Sequence, residues 1–450
     1  MSSPRQAVNK GNRRNSKLPA SASLGATEIQ TETNPLKKIL KILGPGFITG
    51  ASDDDPSGIG TYAIAGASLG FAFLWMPLLM FPLTGAVQFI CAKVGMVTGR
   101  GLAGVVRQQY PKPILYASVF ALMAANTINA GADLGAIGAA INLLAPIPIW
   151  LTIVPVTLII LVIQIWGSYA MMAKAFKFLA LALLAYIGAA IFAKPDLHEV
   201  LRATFLPKIS WNAHYLSVLV AILGTTISPY LFFWQASQEV EEDVAKGKIH
   251  LWQRRGSSDG ELKYAAWDVN IGMLFSNVVM YFIILATAAT LFHAGKTDIN
   301  SAQEAAQALK PIAGRMAGAL LAIGLIGSGF LAVPILTGSA AYALAEAFGW
   351  KRGFNHKPKR AREFYVMIAV STLIGMGINF VGINPVKALF WTAVINGFLA
   401  PPLLVMIMLV ANNRSVMGSR TNRWIINFLG WTAVVLMIAA AIGLAATWAG

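Results

Sequence analysis

Three consecutive aspartates, Asp53-Asp54-Asp55, stand directly before Pro56-Ser57-Gly58 in an otherwise apolar stretch of the chain. Proline withholds an N–H and disfavours helical geometry at Asp55, and Ser57 and Gly58 add backbone freedom. Carboxylates, a hydroxyl and freed main-chain carbonyls therefore meet at one place. A second stretch, Gly224-Thr225-Thr226-Ile227-Ser228-Pro229-Tyr230, repeats the plan without charge, with a proline after a polar residue between apolar flanks. Aspartate, carbonyl and hydroxyl oxygens together are the ligand chemistry of a hard cation. Taken alone, the second stretch also reads as a proline kink whose Ser and Thr hydroxyls bond back to the helix.

The elements that carry these residues follow from composition. Of 450 residues, 56% are hydrophobic and only 12% charged, where a soluble domain carries about 25% charged residues. That excludes a soluble enzyme with a solvated surface and a disordered protein. Apolar stretches of the length needed to cross a bilayer fall at roughly 41–69, 71–96, 114–144, 148–168, 171–193, 214–240, 269–294, 313–348, 364–382, 384–411 and 423–448, eleven spans in an all-α integral membrane protein. Residues 41–52 and 59–69 are each too short to span alone. Together they form one span interrupted at 53–58, although three aspartates cost roughly 3 kcal/mol each on insertion scales. A surface loop between two short helices is the competing reading.

Charge placement orients the chain. With the N-terminus inside, 28 of the 35 Lys and Arg fall in the tail, in the loops after even-numbered spans or in the adjoining ends of spans. That bias predicts a cytoplasmic N-terminus and an external C-terminus in the plasma membrane. The net charge of +16 is then topology, and no nucleic-acid partner is expected. The run 351–362 (KRGFNHKPKRAR) reads as a membrane-face anchor beside anionic lipid heads. A single cysteine, Cys91, excludes a disulfide framework and a cysteine-based metal cluster.

Breaks at membrane depth are tolerated where they line a cavity. Spans 1 and 6 each open a group of five, and because five is odd the two groups run in opposite senses. Interrupted helices at corresponding positions of inverted halves point to a binding site at the midplane of a secondary transporter. The expected organisation is a disordered basic tail over 1–36, a first repeat over 37–195, an inverted second repeat over 196–412 and an eleventh helix within 413–450.

These motifs resemble the Nramp family of divalent-metal transporters, which have the leucine-transporter-type 5+5 inverted-repeat fold with helices 1 and 6 broken. The resemblance rests on Gly44-Pro45-Gly46-Phe47 through Asp55-Pro56, on Val97-Thr98-Gly99-Arg100, Tyr110-Pro111 and Thr225 to Pro229, and on the eleven-span layout. The family's Asp-Pro-Gly-Asn motif reads Asp55-Pro56-Ser57-Gly58 here, and its Ala-x-x-Met-Pro-His motif reads Thr225-Thr226-Ile227-Ser228-Pro229-Tyr230. The family's methionine sulfur favours transition metals; Ser228 replaces it, and neither break holds Cys, Met or His. The resemblance thus implies a metal site of Asp55, Ser57, Gly58, Thr225, Ser228 and backbone carbonyls. Oxygen-only ligation suits Mg²⁺, Ca²⁺ or Mn²⁺. Gly58 and Ser228 enlarge the cavity for a partly hydrated Mg²⁺, as in the Nramp-related magnesium transporter branch, with Mn²⁺ also accepted.

The family's acids on span 3 and histidines on span 6 become Ala132, Gly135, Tyr230 and Gln235 here, so transport without proton coupling is expected. Asp133 remains, with Asn126 and Asn129 at near-helical spacing on its face; interhelical packing and a proton relay are both open to them. Asp53 and Asp54 line a vestibule and concentrate cations, or cap the inner end of the outer half-helix. Asn396 approaches the site or bonds a neighbouring helix. Residues 297–311 have the spacing of an external amphipathic helix. No cofactor or obligate protein partner is expected beyond the transported ion and the bilayer. All five histidines lie in loops or at span ends, which argues against an enzyme. The alternatives are a proton-coupled Mn²⁺/Fe²⁺ transporter of this family and a sodium-coupled organic-solute transporter of the same fold.

Overall fold

The computed structural model describes residues 43–167, 171, 175, 184–192, 194–299, 304–305 and 317–449. Among them regular structure is helical and no strand occurs. In chain order the main helices are α1 (Pro45–Asp53), α2 (Pro56–Leu69), α3 (Met76–Thr98), α4 (Leu102–Gln109), α5 (Lys112–Leu144), α6 (Ile149–Trp166), α7 (Leu184–Phe192), α8 (Leu197–Phe205), α9 (Ala213–Thr226), α10 (Pro229–Ala245), α11 (Asp259–Thr287), α12 (Ala317–Phe348), α13 (Arg362–Ile378), α14 (Pro385–Asn412) and α15 (Trp424–Ala449). Eight stretches among the described residues are long and apolar enough to cross a membrane, matching expected spans 2, 3, 4, 6, 7, 8, 10 and 11. Span 1 is instead two helices of 9 and 14 residues, and span 9 a helix of 17. The expected tail over 1–36 lies outside the described residues, as do most of span 5 and of the helix expected over 297–311.

Local chemistry sets the boundaries. α3 begins at Met76-Pro77, where a missing N–H costs nothing, and ends at Gly99 with φ 66°, a left-handed cap that glycine adopts freely. α11 starts with a Ser258–Glu261 capping box. Asn384 caps α14 by accepting from the Val386 and Lys387 amides at 2.9 and 3.2 Å. Cys91 is free and buried.

Loops that carry basic residues contact one another: Gly99 lies against Arg254, and Gly349 against Arg107. There the Glu346 carboxylate accepts from the Gly101 and Gly104 amides at 2.8 Å each, capping α4 from another helix, and pairs with Arg352 at 3.0 Å. Nearby, Asn355 Nδ2 donates to Glu241 at 2.6 Å, and Arg420 pairs with Asp259.

One stripe of α11 seats the first half-helix. Asp268 accepts from the Gly44, Gly46 and Phe47 amides at 2.7, 2.7 and 3.0 Å, capping the α1 N-terminus in trans. Four residues on, Gly272 packs against Gly46 and Gly50 so closely that a methyl on Gly50 would lie 2.2 Å from the Gly272 backbone. Small residues of this kind let membrane helices approach. Four residues further, Ser276 meets Asp53 and Asp54. On the other side, α9 crosses α14 where a methyl on Gly224 would meet the Ala393 carbonyl at 2.1 Å.

Candidate metal site

Pro56 decides the geometry of the first break. A continuous helix would need its nitrogen to donate to the Ser52 carbonyl four residues back, and proline has no hydrogen there. Helix α1 therefore ends at Asp53, Asp54 turns (φ −87°, ψ 49°), and Asp55 is extended (φ −66°, ψ 169°) as the N-cap of α2. The Ser52 carbonyl accepts from the Tyr230 hydroxyl instead, at 2.7 Å. Tyr230 belongs to the other broken helix, and its own carbonyl is held by Ser339 Oγ at 2.7 Å.

Asp55 is 2% exposed and collects donors from three helices. Its Oδ1 accepts from the Gly58 amide of α2 at 2.6 Å, and its Oδ2 from Asn129 Nδ2 of α5 at 3.0 Å. The Tyr230 hydroxyl of α10 lies 3.5 Å from the same Oδ2. Asn129 Nδ2 also donates to Asp133 Oδ2 at 3.4 Å, so a single amide stands between two buried carboxylates. Asp133 Oδ1 has no hydrogen-bond partner.

At the second break, α9 ends at Thr226, Ile227 takes φ −108°, ψ 59°, and Ser228 is extended (φ −79°, ψ 133°) before α10. The carbonyl that Pro229 leaves open is that of Thr225. Ser228 Oγ donates to it at 2.6 Å and lies 2.7 Å from the Gly224 carbonyl. Gly58 brings the two breaks together: a methyl there would stand 3.0 Å from the Asp53 carbonyl, 3.3 Å from Thr225 Oγ1 and 3.4 Å from Asp55 Oδ1.

The expected residues thus sort by direction. Asp55, Gly58, Thr225 and Tyr230 converge. The Ser57 hydroxyl turns to α14, donating to the Leu389 carbonyl at 2.8 Å beside Thr392 Oγ1 at 3.2 Å. The Ser228 hydroxyl turns onto its own chain. Asn126 Nδ2 donates to the Leu336 carbonyl of α12 at 3.0 Å, joining two helices. Asn396 is buried on α14, and among the described residues no hydrogen bond joins it to the site. Asp53 and Asp54 face α11, away from the donors of Asp55. Among the described residues no three His, Cys, Asp or Glu side chains are grouped to hold a metal; the aspartates fall into separate places. Sequence reasoning passed over Asp268 and Ser276, whose only signal was their four-residue spacing with Gly272, and over the Ser52 carbonyl, which the i−4 rule for Pro56 identifies.

A family model for natural resistance-associated macrophage protein-like (Nramp) sequences matches residues 46–447. The manganese transporter of Eremococcus coleocola, solved with an aromatic bis-isothiourea compound, is similar in structure at a TM-score of 0.75 and 18% identity, covering 92% of this chain and 88% of that one. Mhp1, a nucleobase-cation-symport-1 transporter, matches at 0.55 and 15% identity over 90% of this chain and 93% of its own. MhsT in complex with L-phenylalanine matches at 0.57 and 14% identity over 89% and 98%. These likenesses carry the fold.

Proposed function

The chain belongs to the Nramp family, a membrane transporter of divalent metal ions and not an enzyme, and on that premise we propose that its cargo is Mg²⁺, with Mn²⁺ also accepted. The observation that supports this reading is the donor set around Asp55: one carboxylate, an amide, a phenol and threonine oxygen, with a serine, Ser228, ahead of Pro229. No sulfur or imidazole is there to favour a soft metal. A hard ion that keeps several waters needs one or two carboxylates and little else. The second break contributes the Thr225 hydroxyl and backbone carbonyls.

Transport proceeds without proton coupling in this proposal. Asn129 supplies both of its amide hydrogens to the Asp55–Asp133 pair, and a carboxamide has no proton to release at physiological pH. It separates the two acids rather than relaying between them. The driving force is then the metal gradient and the membrane potential, about 4.6 kcal/mol per 100 mV for a doubly charged ion. The N-terminus is cytoplasmic in this reading, as the basic loops require.

Reconstituted protein in liposomes carrying a Mg²⁺ dye in one set and a pH dye in another tests the proposal. Mg²⁺ entry with no pH change is expected. Transport of Cd²⁺ in preference to Mg²⁺ would overturn the cargo, and Mg²⁺-driven acidification would overturn the uncoupled mechanism.

A further inference from the structure

Two pairs of buried carboxylates flank the first break, and only one belongs to the site described above. The other is Asp53 with Asp54, both 0% exposed. Among the described residues their single side-chain donor is the Ser276 hydroxyl, 2.7 Å from Asp53 Oδ2 and 3.3 Å from Asp54 Oδ1. A hydroxyl has one proton, so two carboxylates share it. Asp53 Oδ1 and Asp54 Oδ2 have no hydrogen-bond partner, and among the described residues no Lys, Arg or His pairs with either acid. A third buried polar group interacts with them electrostatically. The Tyr62 hydroxyl of α2 is fully buried beside Thr226 and within electrostatic reach of both aspartates, with no hydrogen bond of normal geometry among the described residues.

An uncompensated charge in an apolar interior is costly enough that such groups are paired or coordinate metals. The surrounding main chain also favours a cation. Helices α1 and α9 both end at the breaks, at Asp53 and Thr226, and a helix C-terminus carries the equivalent of about half a negative charge. We infer that Asp53, Asp54, Ser276 and Tyr62 form a second divalent-cation site, on the α11 side of the break, distinct from the Asp55 site on the α5 side. The donor set is all oxygen with a formal charge of −2, which neutralises Mg²⁺ or Mn²⁺ and leaves coordination positions for water. The inference rests on the divalent-cargo reading and adds a second resting place for the ion, held between a half-helix and α11. Occupying it ties α1 to Ser276, at the end of the same stripe that caps α1 through Asp268.

Stoichiometry tests it. The purified full-length protein is titrated with Mn²⁺ and the free ion is followed by electron paramagnetic resonance. Two ions per chain are expected for the wild type, one for the Asp53→Asn/Asp54→Asn double variant and one for Asp55→Asn. The ion retained by each variant also certifies that it is folded. One ion in the wild type that survives in the double variant overturns the second site and leaves the proposed function standing. Two ions surviving in Asp55→Asn overturns the proposed site instead. Should the double variant bind none, Ser276→Ala decides: weakening of one ion by about tenfold supports the second site, and two unchanged affinities overturn it.

Discussion

The two interrupted helices break for one backbone reason and resolve it differently. Pro56 strands the Ser52 carbonyl, and Pro229 strands that of Thr225. At the first break the stranded carbonyl is taken by Tyr230, 178 residues away on the other broken helix. At the second it is taken by Ser228, three residues away on the same chain segment. The first break is charged, and its acids take donors from α2, α5, α10 and α11; the second is uncharged, and its stranded carbonyl is served from its own segment. The geometry of the first therefore depends on the second, while the second keeps its shape alone. A cation that neutralises Asp55 acts on the dependent break, the one whose half-helices are seated by other helices. That division assigns charge to the first break and a fixed oxygen frame to the second.

Removing the charge should have the largest effect. Asp55→Asn keeps the shape of the side chain but turns one of its two accepting oxygens into a donor and takes away the carboxylate at the convergence of the breaks. Two unit charges about 4 Å apart interact by about 4 kcal/mol at an effective dielectric near 20. Mg²⁺ affinity by isothermal titration should accordingly fall by more than about 100-fold. Loss of no ion, with every affinity within a few-fold of wild type, would mean that Asp55 is not where the cargo sits.

The dependence of one break on the other is the next quantity to test. Tyr230→Phe removes the hydroxyl that serves the Ser52 carbonyl and leaves that oxygen buried without a donor, a loss of about 1–3 kcal/mol. Thermal unfolding in detergent should show a lower Tm, and Mg²⁺ affinity should weaken with it because the Asp55 Oδ2 neighbour is lost too. Unchanged stability and affinity would show the first break to be as self-contained as the second.

Selectivity separates the two breaks in another way. If the second break supplies a frame of hard oxygens, Ser228→Met introduces a soft ligand at its rim. The Cd²⁺-to-Mg²⁺ affinity ratio should rise by about tenfold, equivalent to about 1.4 kcal/mol. Replacing Ser57 by Met should not match this, because the Ser57 side chain points to Leu389 and Thr392 of α14.

Particular residues show what could be read in advance. Both breaks, the eight long spans and the central Asp55 follow from proline rules, apolar length and the cost of charge in lipid, all local properties. Side-chain direction does not. Asp53, Asp54 and Asp55 are consecutive, and nothing in their order says that two face α11 while the third faces α5 and α10. That split depends on the turn at Asp54 and on which helices stand nearby. Ser57 and Ser228 belong to the expected ligand set as residue types, and their hydroxyls are oriented by Leu389, Gly224 and Thr225, partners set by helix crossings. The Gly46–Gly50–Gly272 contact and the Asp268 cap were open to a reading by four-residue spacing, but only their joint alignment on one face of α11 gives that spacing meaning.

Ser228→Ala should give the smallest effect, and it isolates what a self-contained break costs to disturb. The hydroxyl bonds only to carbonyls of its own segment, so its loss removes one hydrogen bond worth about 0.5–1.5 kcal/mol and exposes no charge. No helix outside the break loses a partner. Stability should fall by no more than that amount, and Mg²⁺ affinity should stay within about twofold of wild type, since the Thr225 carbonyl freed by the change is itself an oxygen a hydrated cation can use. Calorimetry on Ser228→Ala beside Tyr230→Phe reads the comparison directly. A larger loss in the serine variant than in the tyrosine variant would reverse the order of dependence between the breaks and make the second the one that holds the first in place through its charge-free turn.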